Sequence, residues 1–300
     1  MIDYSMYENR IGLVGAGGGC RVAECLAGAL KSFTEHNINI DYMWLTSGAA
    51  MTGPLYYLSD QFKKDMLSFL QAHPIDEVLI PYYDIAILIA GKPVYDNDIL
   101  LDIMEGQFKG RTLDNVIVTI TDAVTRETLY LPADFQTVVS TSSIPKVFRD
   151  RTLIRKLMYR RIQPQKDGEP ITARTEYIDK KRVISLDGGI YNMIPVPEPE
   201  IIERLSHLYI VLPCEDTVSE SIHTQSSLGQ ALSWIIETME RGTRTVVETW
   251  GNHPKVTILK SKPCKSSLLN WSENFKLFQH YYKYTDKVLS ASKRIAIQIT

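Results

Sequence analysis

The chain has 300 residues, of which 44% are hydrophobic and 23% charged, and its formal net charge is −2. That length allows one large domain or two small ones with ample chain for a core, and the near-neutral charge argues against nucleic acid as a partner. No stretch reaches the ~18–20 apolar residues of a membrane span, and the N-terminal "MIDYSMYENR" has no basic region leading into an apolar run, so a cytoplasmic location is expected.

In chain order, apolar runs alternate with amphipathic stretches, the pattern of an α/β protein. "IGLVGA" (11–16) reads as a buried strand that ends in a glycine-rich turn. Residues 20–37 carry Val22, Leu26, Ala29, Leu30 and Phe33 at helical spacing, and "YMWL" (42–45) is a short strand. An element beginning near 74–83 precedes a helix over 96–108. "NVIVTITDA" (115–123) is a strand, with 127–132 as its hairpin partner. Residues 137–148 are expected to run from strand into loop, and 181–196 from strand into a glycine turn. Then follow a core strand (208–213), a helix (226–242), a late strand (255–260) and a terminal helix (274–296). No repeat, linker or boundary interrupts this order, so residues 1–300 are read as one domain. The four cysteines, Cys20, Cys25, Cys214 and Cys264, form no C-x-x-C pair and accompany no histidine cluster, so they read as thiols of a reducing compartment.

Three motifs carry chemistry. "GAGGGCR" (15–21) lies between a strand and a helix N-terminus, where glycines let backbone N–H groups face a concavity that favours negative charge. It can serve as an oxyanion hole, as a dinucleotide loop lacking its third glycine at Cys20, or as a tight turn alone. "LTSGA" (45–49) places Ser47 at a strand-to-helix junction, as a nucleophile elbow does, though a serine there also serves as a helix N-cap. "DGG" (187–189) ends a strand on Asp187, which can face a serine hydroxyl as a base or simply form an Asx turn.

In this order the motifs resemble those of the patatin-like phospholipase family. That family's G-G-G-x-[RK]-G loop is matched by Gly17, Gly18, Gly19, Cys20, Arg21 and Val22. Its G-x-S-x-G elbow, about thirty residues on, is matched by Leu45 to Ala49, and its D-G-[GA] motif by Asp187, Gly188 and Gly189. "STSSIPKVF" (140–148) is similar to the family's Ser-Ser-x-Ile-Pro stretch. The resemblance covers about residues 10–215, with 216–300 completing the domain.

It implies a three-layer fold with a central, mostly parallel sheet flanked by helices. It implies a serine acyl-ester hydrolase of phospholipase A or lysophospholipase type, acting on a phospholipid or lysophospholipid. Ser47 would be the nucleophile and Asp187 its base, with Gly17, Gly18, Gly19, Cys20 and Arg21 at the oxyanion hole. That chemistry needs no metal or organic cofactor. Val22, Ala49 and Leu45 depart from the family's glycines, and nothing in the sequence says where the Leu45 side chain is housed.

Other readings stay open. A Ser–His–Asp triad would draw on His207, His223 or His253. A protein that keeps the fold without the chemistry would bind lipid or protein, and "GAGGGC" leaves a nucleotide-binding protein as a distant alternative. Residues 146–182 hold twelve basic and five acidic side chains, either a solvated face or a peripheral contact with an anionic membrane. The apolar stretch 78–90 reads as core or as a contact for acyl chains.

Overall fold

In the computed structural model the described residues are 4–72, 80–81, 95–96, 98–143, 151–153, 157–162, 173–178, 183–213, 227–262 and 275–299. Apart from 80–81, the stretch 78–90 lies outside them, as do Cys214, Cys264 and His223. The basic segment 146–182 is described only as three strands.

The strands are β1 (Ile11–Gly15), β2 (Tyr42–Leu45), β3 (Ile80–Pro81), β4 (Tyr95–Asp96), β5 (Leu113–Asp122), β6 (Glu127–Ala133), β7 (Arg151–Leu153), β8 (Leu157–Ile162), β9 (Ala173–Ile178), β10 (Val183–Asp187), β11 (His207–Val211) and β12 (Val256–Leu259). The helices are α1 (Cys20–Glu35), α2 (Gly48–Thr52), α3 (Leu55–Leu58), α4 (Asp60–Lys64), α5 (Met66–Ala72), α6 (Asp98–Phe108), α7 (Phe135–Thr141), α8 (Pro199–Arg204), α9 (Ser227–Trp250) and α10 (Phe275–Ile299).

Among the described residues, ten strands form one sheet in the order β12-β11-β1-β2-β5-β6-β8-β9, with β10 pairing β5 and β7. β12, β11, β1, β2 and β5 run parallel, and the antiparallel strands extend the sheet from β5. This is the expected α/β architecture with helices on both faces. Alternation along the strands shows why, because successive side chains point to opposite faces. Leu13, Met43, Leu45, Val116 and Val118 bury against α1, α2, α7 and α10. Val14, Trp44, Ile117, Leu208 and Ile210 bury on the other face with residues of α8 and α9.

Residues 137–148, expected to run from strand into loop, instead begin inside α7. The β-branched run "TVV" suggested a strand, but the local chemistry at Asp134 decides otherwise. Its carboxylate accepts the Thr137 N–H at 2.9 Å, while the Thr137 hydroxyl accepts the Asp134 N–H at 2.8 Å, a closed capping box. Val138 and Val139 then bury completely in the core. The expected helix at 226–242 also runs on to Trp250, with Gly242 in its interior.

Candidate active site

Strand register brings the serine and the aspartate together. β2 and β10 share one edge of β5 but run in opposite directions. β2 ends at Leu45, opposite Val118, and β10 ends at Asp187, opposite Ile120. The two strands therefore point at each other across a single intervening residue of β5, Thr119, and the chain leaving β2 places Ser47 in that gap.

Ser47 has φ 51° and ψ −127°, a left-handed backbone that a non-glycine residue adopts at a cost of about 1–3 kcal/mol. Its side chain caps nothing on α2. Instead its Oγ donates to Asp187 Oδ2 at 2.7 Å. The other carboxylate oxygen, Oδ1, accepts the Gly189 N–H at 2.7 Å. Ser47 is 4% exposed and Asp187 5%. Burial dominates the electrostatics of the pair: it pushes Asp187 up to about 7, and the hydrogen bonds from Ser47 and Gly189 only partly oppose it.

The glycine loop lies against this elbow. Gly18 (φ 140°) and Gly19 (φ 66°) both take backbone conformations that disfavour side chains. A Cβ on Gly48 would stand 2.0 Å from the carbonyl oxygen of Gly19, so the residue after Ser47 must be glycine for the loop and this turn to touch. The Gly17 N–H donates to the Met193 carbonyl at 2.7 Å. The N–H groups of Gly18 and Gly19 make no hydrogen bond among the described residues. Gly18 and Gly19 thus keep uncommitted N–H donors among the described residues, while Gly17 holds the loop to the segment after Asp187. Cys20 opens α1 directly behind them.

Arg21 is 1% exposed, and one of its terminal nitrogens donates to the Met239 sulfur at 2.8 Å. Arg21 Nε and both carboxyl oxygens of the fully buried Glu24 have no hydrogen-bond partner among the described residues. Burial raises Glu24 to about 8, so it is mostly neutral at pH 7.

Leu45, the largest departure from the glycine pattern, is fully buried. Two glycines make room for it. A Cβ on Gly15 would stand 2.8 Å from Leu45 Cδ2, and one on Gly53 would stand 2.3 Å from Leu45 Cδ1. The volume that the elbow position gains is removed from its neighbours. The same Gly15 Cβ would meet Ala49 at 2.8 Å, which accounts for a small residue there.

Neither described histidine of the triad alternative reaches Ser47. His207 begins β11 opposite Ile11, the N-terminal end of β1, and bonds Thr257 at 2.8 Å. His253 precedes β12 and bonds Glu203 at 3.2 Å. Both lie at the end of the parallel strands away from the glycine loop. Among the described residues no group of three His, Cys, Asp or Glu could hold a metal ion, and no helix is long and apolar enough to cross a membrane.

Several residues at the site carried no separate signal in the sequence. Thr46 shares a hydrogen bond of 2.5 Å with Thr119 and donates to the Asn192 carbonyl at 3.2 Å. Thr141 and Ser142 contact the Ser47 backbone. For Thr141 and Ser142 the trace in the sequence was the "STSSIPKVF" stretch (140–148), which resembled the family without assigning them a role.

A family model described as patatin-like phospholipase matches residues 13–199, a span that includes the glycine loop, Ser47 and Asp187. Among solved structures, VipD from Legionella pneumophila is similar at 13% identity and a TM-score of 0.42, covering 95% of this chain and 67% of that one. Human GIVD cytosolic phospholipase A2, solved with a methyl gamma-linolenyl fluorophosphonate inhibitor and terbium chloride, is similar at 11% identity and a TM-score of 0.43. That match covers 98% of this chain and 60% of the human one, so the chain spans less than two thirds of its length. No curated protein matches the sequence.

Proposed function

Since the chain belongs to the patatin-like phospholipase family, we propose that it is a lipid acyl-ester hydrolase of phospholipase A or lysophospholipase type, with Ser47 as nucleophile and Asp187 as base. The observation that carries this reading is the 2.7 Å hydrogen bond from Ser47 Oγ to a buried carboxylate that ionises near neutral pH. In the ionised form Asp187 accepts the serine proton as Oγ attacks the acyl carbonyl. The oxyanion that forms lies toward the N–H groups of Gly18 and Gly19, on the loop continued by Cys20 and Arg21. Collapse breaks the ester C–O bond, and the leaving alcohol or lysophospholipid takes the proton back from Asp187. A water molecule, deprotonated by the same carboxylate, then attacks the acyl-enzyme; the acyl–Oγ bond breaks, Ser47 Oγ takes the proton from Asp187, and the fatty acid leaves. What supports this reading over a protein that only binds lipid is the housing of Leu45, which leaves the Ser47 backbone in its strained conformation.

The test is labelling with a fluorophosphonate probe, followed by a phospholipid and lysophospholipid panel. Labelling is expected in the wild type and absent in Ser47→Ala and Asp187→Asn. Because the base must be ionised, the wild-type rate should fall as pH drops through about 7, towards tenfold per pH unit below it. An Asp187→Asn protein that labels as fast as wild type would remove Asp187 from the mechanism.

A further inference from the structure

We propose that Thr141, Ser142 and Ser143, at the end of α7, are positioning residues that grip the backbones of Ser47 and Asp187 and set the distance between them. This rests on the reading of Ser47 and Asp187 as the reacting pair.

A non-glycine residue at φ 51° stays there only where its surroundings over-determine it. At Ser47 both backbone polar groups are taken. Its N–H donates to Thr141 Oγ1 at 3.0 Å. Its carbonyl accepts from Ser142 Oγ at 3.3 Å and from the Ala50 N–H at 2.9 Å. The next residue, Ser143, reaches the other partner: its carbonyl accepts the Asp187 N–H at 2.9 Å. Three consecutive residues thus hold nucleophile and base by main-chain atoms, without occupying the Ser47 hydroxyl or the Asp187 carboxylate.

The grip is itself anchored. The capping box at Asp134 and Thr137 closes the start of α7. At its end Ser142 Oγ also donates to the Val138 carbonyl at 3.2 Å, and Ser143 Oγ donates to the Val139 carbonyl at 3.0 Å. Val138, Val139, Thr141 and Ser143 are fully buried. A short helix pinned at both ends cannot follow either partner, so it fixes them against each other.

The test compares Thr141→Val, which keeps shape and removes the acceptor, with Thr141→Ser, which restores the hydroxyl. Thr141→Val should slow fluorophosphonate labelling of Ser47 about tenfold or more, the factor expected when a buried donor is left unpaired at the reacting residue. In ester hydrolysis the loss should fall on kcat, not KM. The acid limb of the pH profile should move to higher pH, because a displaced Ser47 no longer stabilises the Asp187 carboxylate. Thr141→Ser should return both the rate and the pH midpoint towards wild type. A folded Thr141→Val protein with wild-type rate and midpoint would overturn the proposal, and so would a Thr141→Ser protein as slow as Thr141→Val. If Thr141→Val does not fold, Ser142→Ala, which removes the hydroxyl shared between the Ser47 and Val138 carbonyls, enters the same comparison with the same refuting outcome. Amide exchange at Ser47 reads the grip without chemistry: it should quicken in Thr141→Val, and unchanged exchange would also refute it. A wild type that never labels would instead strike at the reading of the reacting pair.

Discussion

Replacing Asp187 by asparagine should abolish chemistry and stabilise the fold, and the size of the second effect follows from burial. The carboxyl ionises at 3.8 when unperturbed and at about 7 in the folded chain, a gap worth about 4 kcal/mol. The sign follows from proton counts. Between pH 3.8 and 7 the folded chain holds a proton that the unfolded chain has released, so wild-type stability falls as pH rises through this window. Asparagine has no proton to lose. Relative to wild type, the variant should gain nothing from this source at pH 3, about 2 kcal/mol at pH 5 and about 4 kcal/mol above pH 7. With an unfolding entropy of about 0.6 kcal/mol/K for a chain of this length, the full effect is a Tm rise of about 6 °C. The assay is thermal or urea unfolding of both proteins at pH 5 and pH 8.5. Any fixed cost of the substitution shifts both measurements equally, so the diagnostic is growth of the gap with pH. Glu24, buried and raised to about 8, contributes the same trend to both proteins and cancels. A gap that does not change between the two pH values would refute the argument that Asp187 bears a desolvation cost in the folded state.

Two further predictions concern the elbow and the basic segment. Leu45→Gly, which restores the family's usual glycine, should destabilise the protein by about 3–5 kcal/mol, because it empties the space framed by Gly15 and Gly53; a variant as stable as wild type would show that Leu45 is not packed as described. Binding to vesicles containing anionic lipid should weaken as salt rises, if the net +7 of residues 146–182 meets the lipid surface; binding indifferent to both salt and anionic lipid would remove that contact.

The local features of this protein are legible in its chain. Apolar runs and helical spacing marked β1, α1, β2, β5 and the hairpin into β6, because burial of one face leaves a period in the chain. Glycine at positions 17–19 and Asp-Gly-Gly at 187–189 marked the turns that interrupt those elements. The order of these signals was enough to name a family and to single out Ser47 and Asp187. Tertiary structure decided the rest. No local pattern says that β10 runs antiparallel along the edge of β5 that β2 also uses, yet that pairing is what brings Asp187 to within 2.7 Å of Ser47. The housing of Leu45 was not legible in the sequence because it lies at Gly15 and Gly53, and only packing shows that the two glycines face it. The valines of α7 read as a strand because β-branched residues favour one, until the Asp134 cap and complete burial outweighed that preference. The hydroxyls of Thr141 and Ser142 looked like loop chemistry because their partner is the backbone of Ser47, more than ninety residues earlier in the chain. Periodicity and turn residues record what a segment does with its neighbours in sequence, while the site is made by contacts between segments that only the packed sheet brings together.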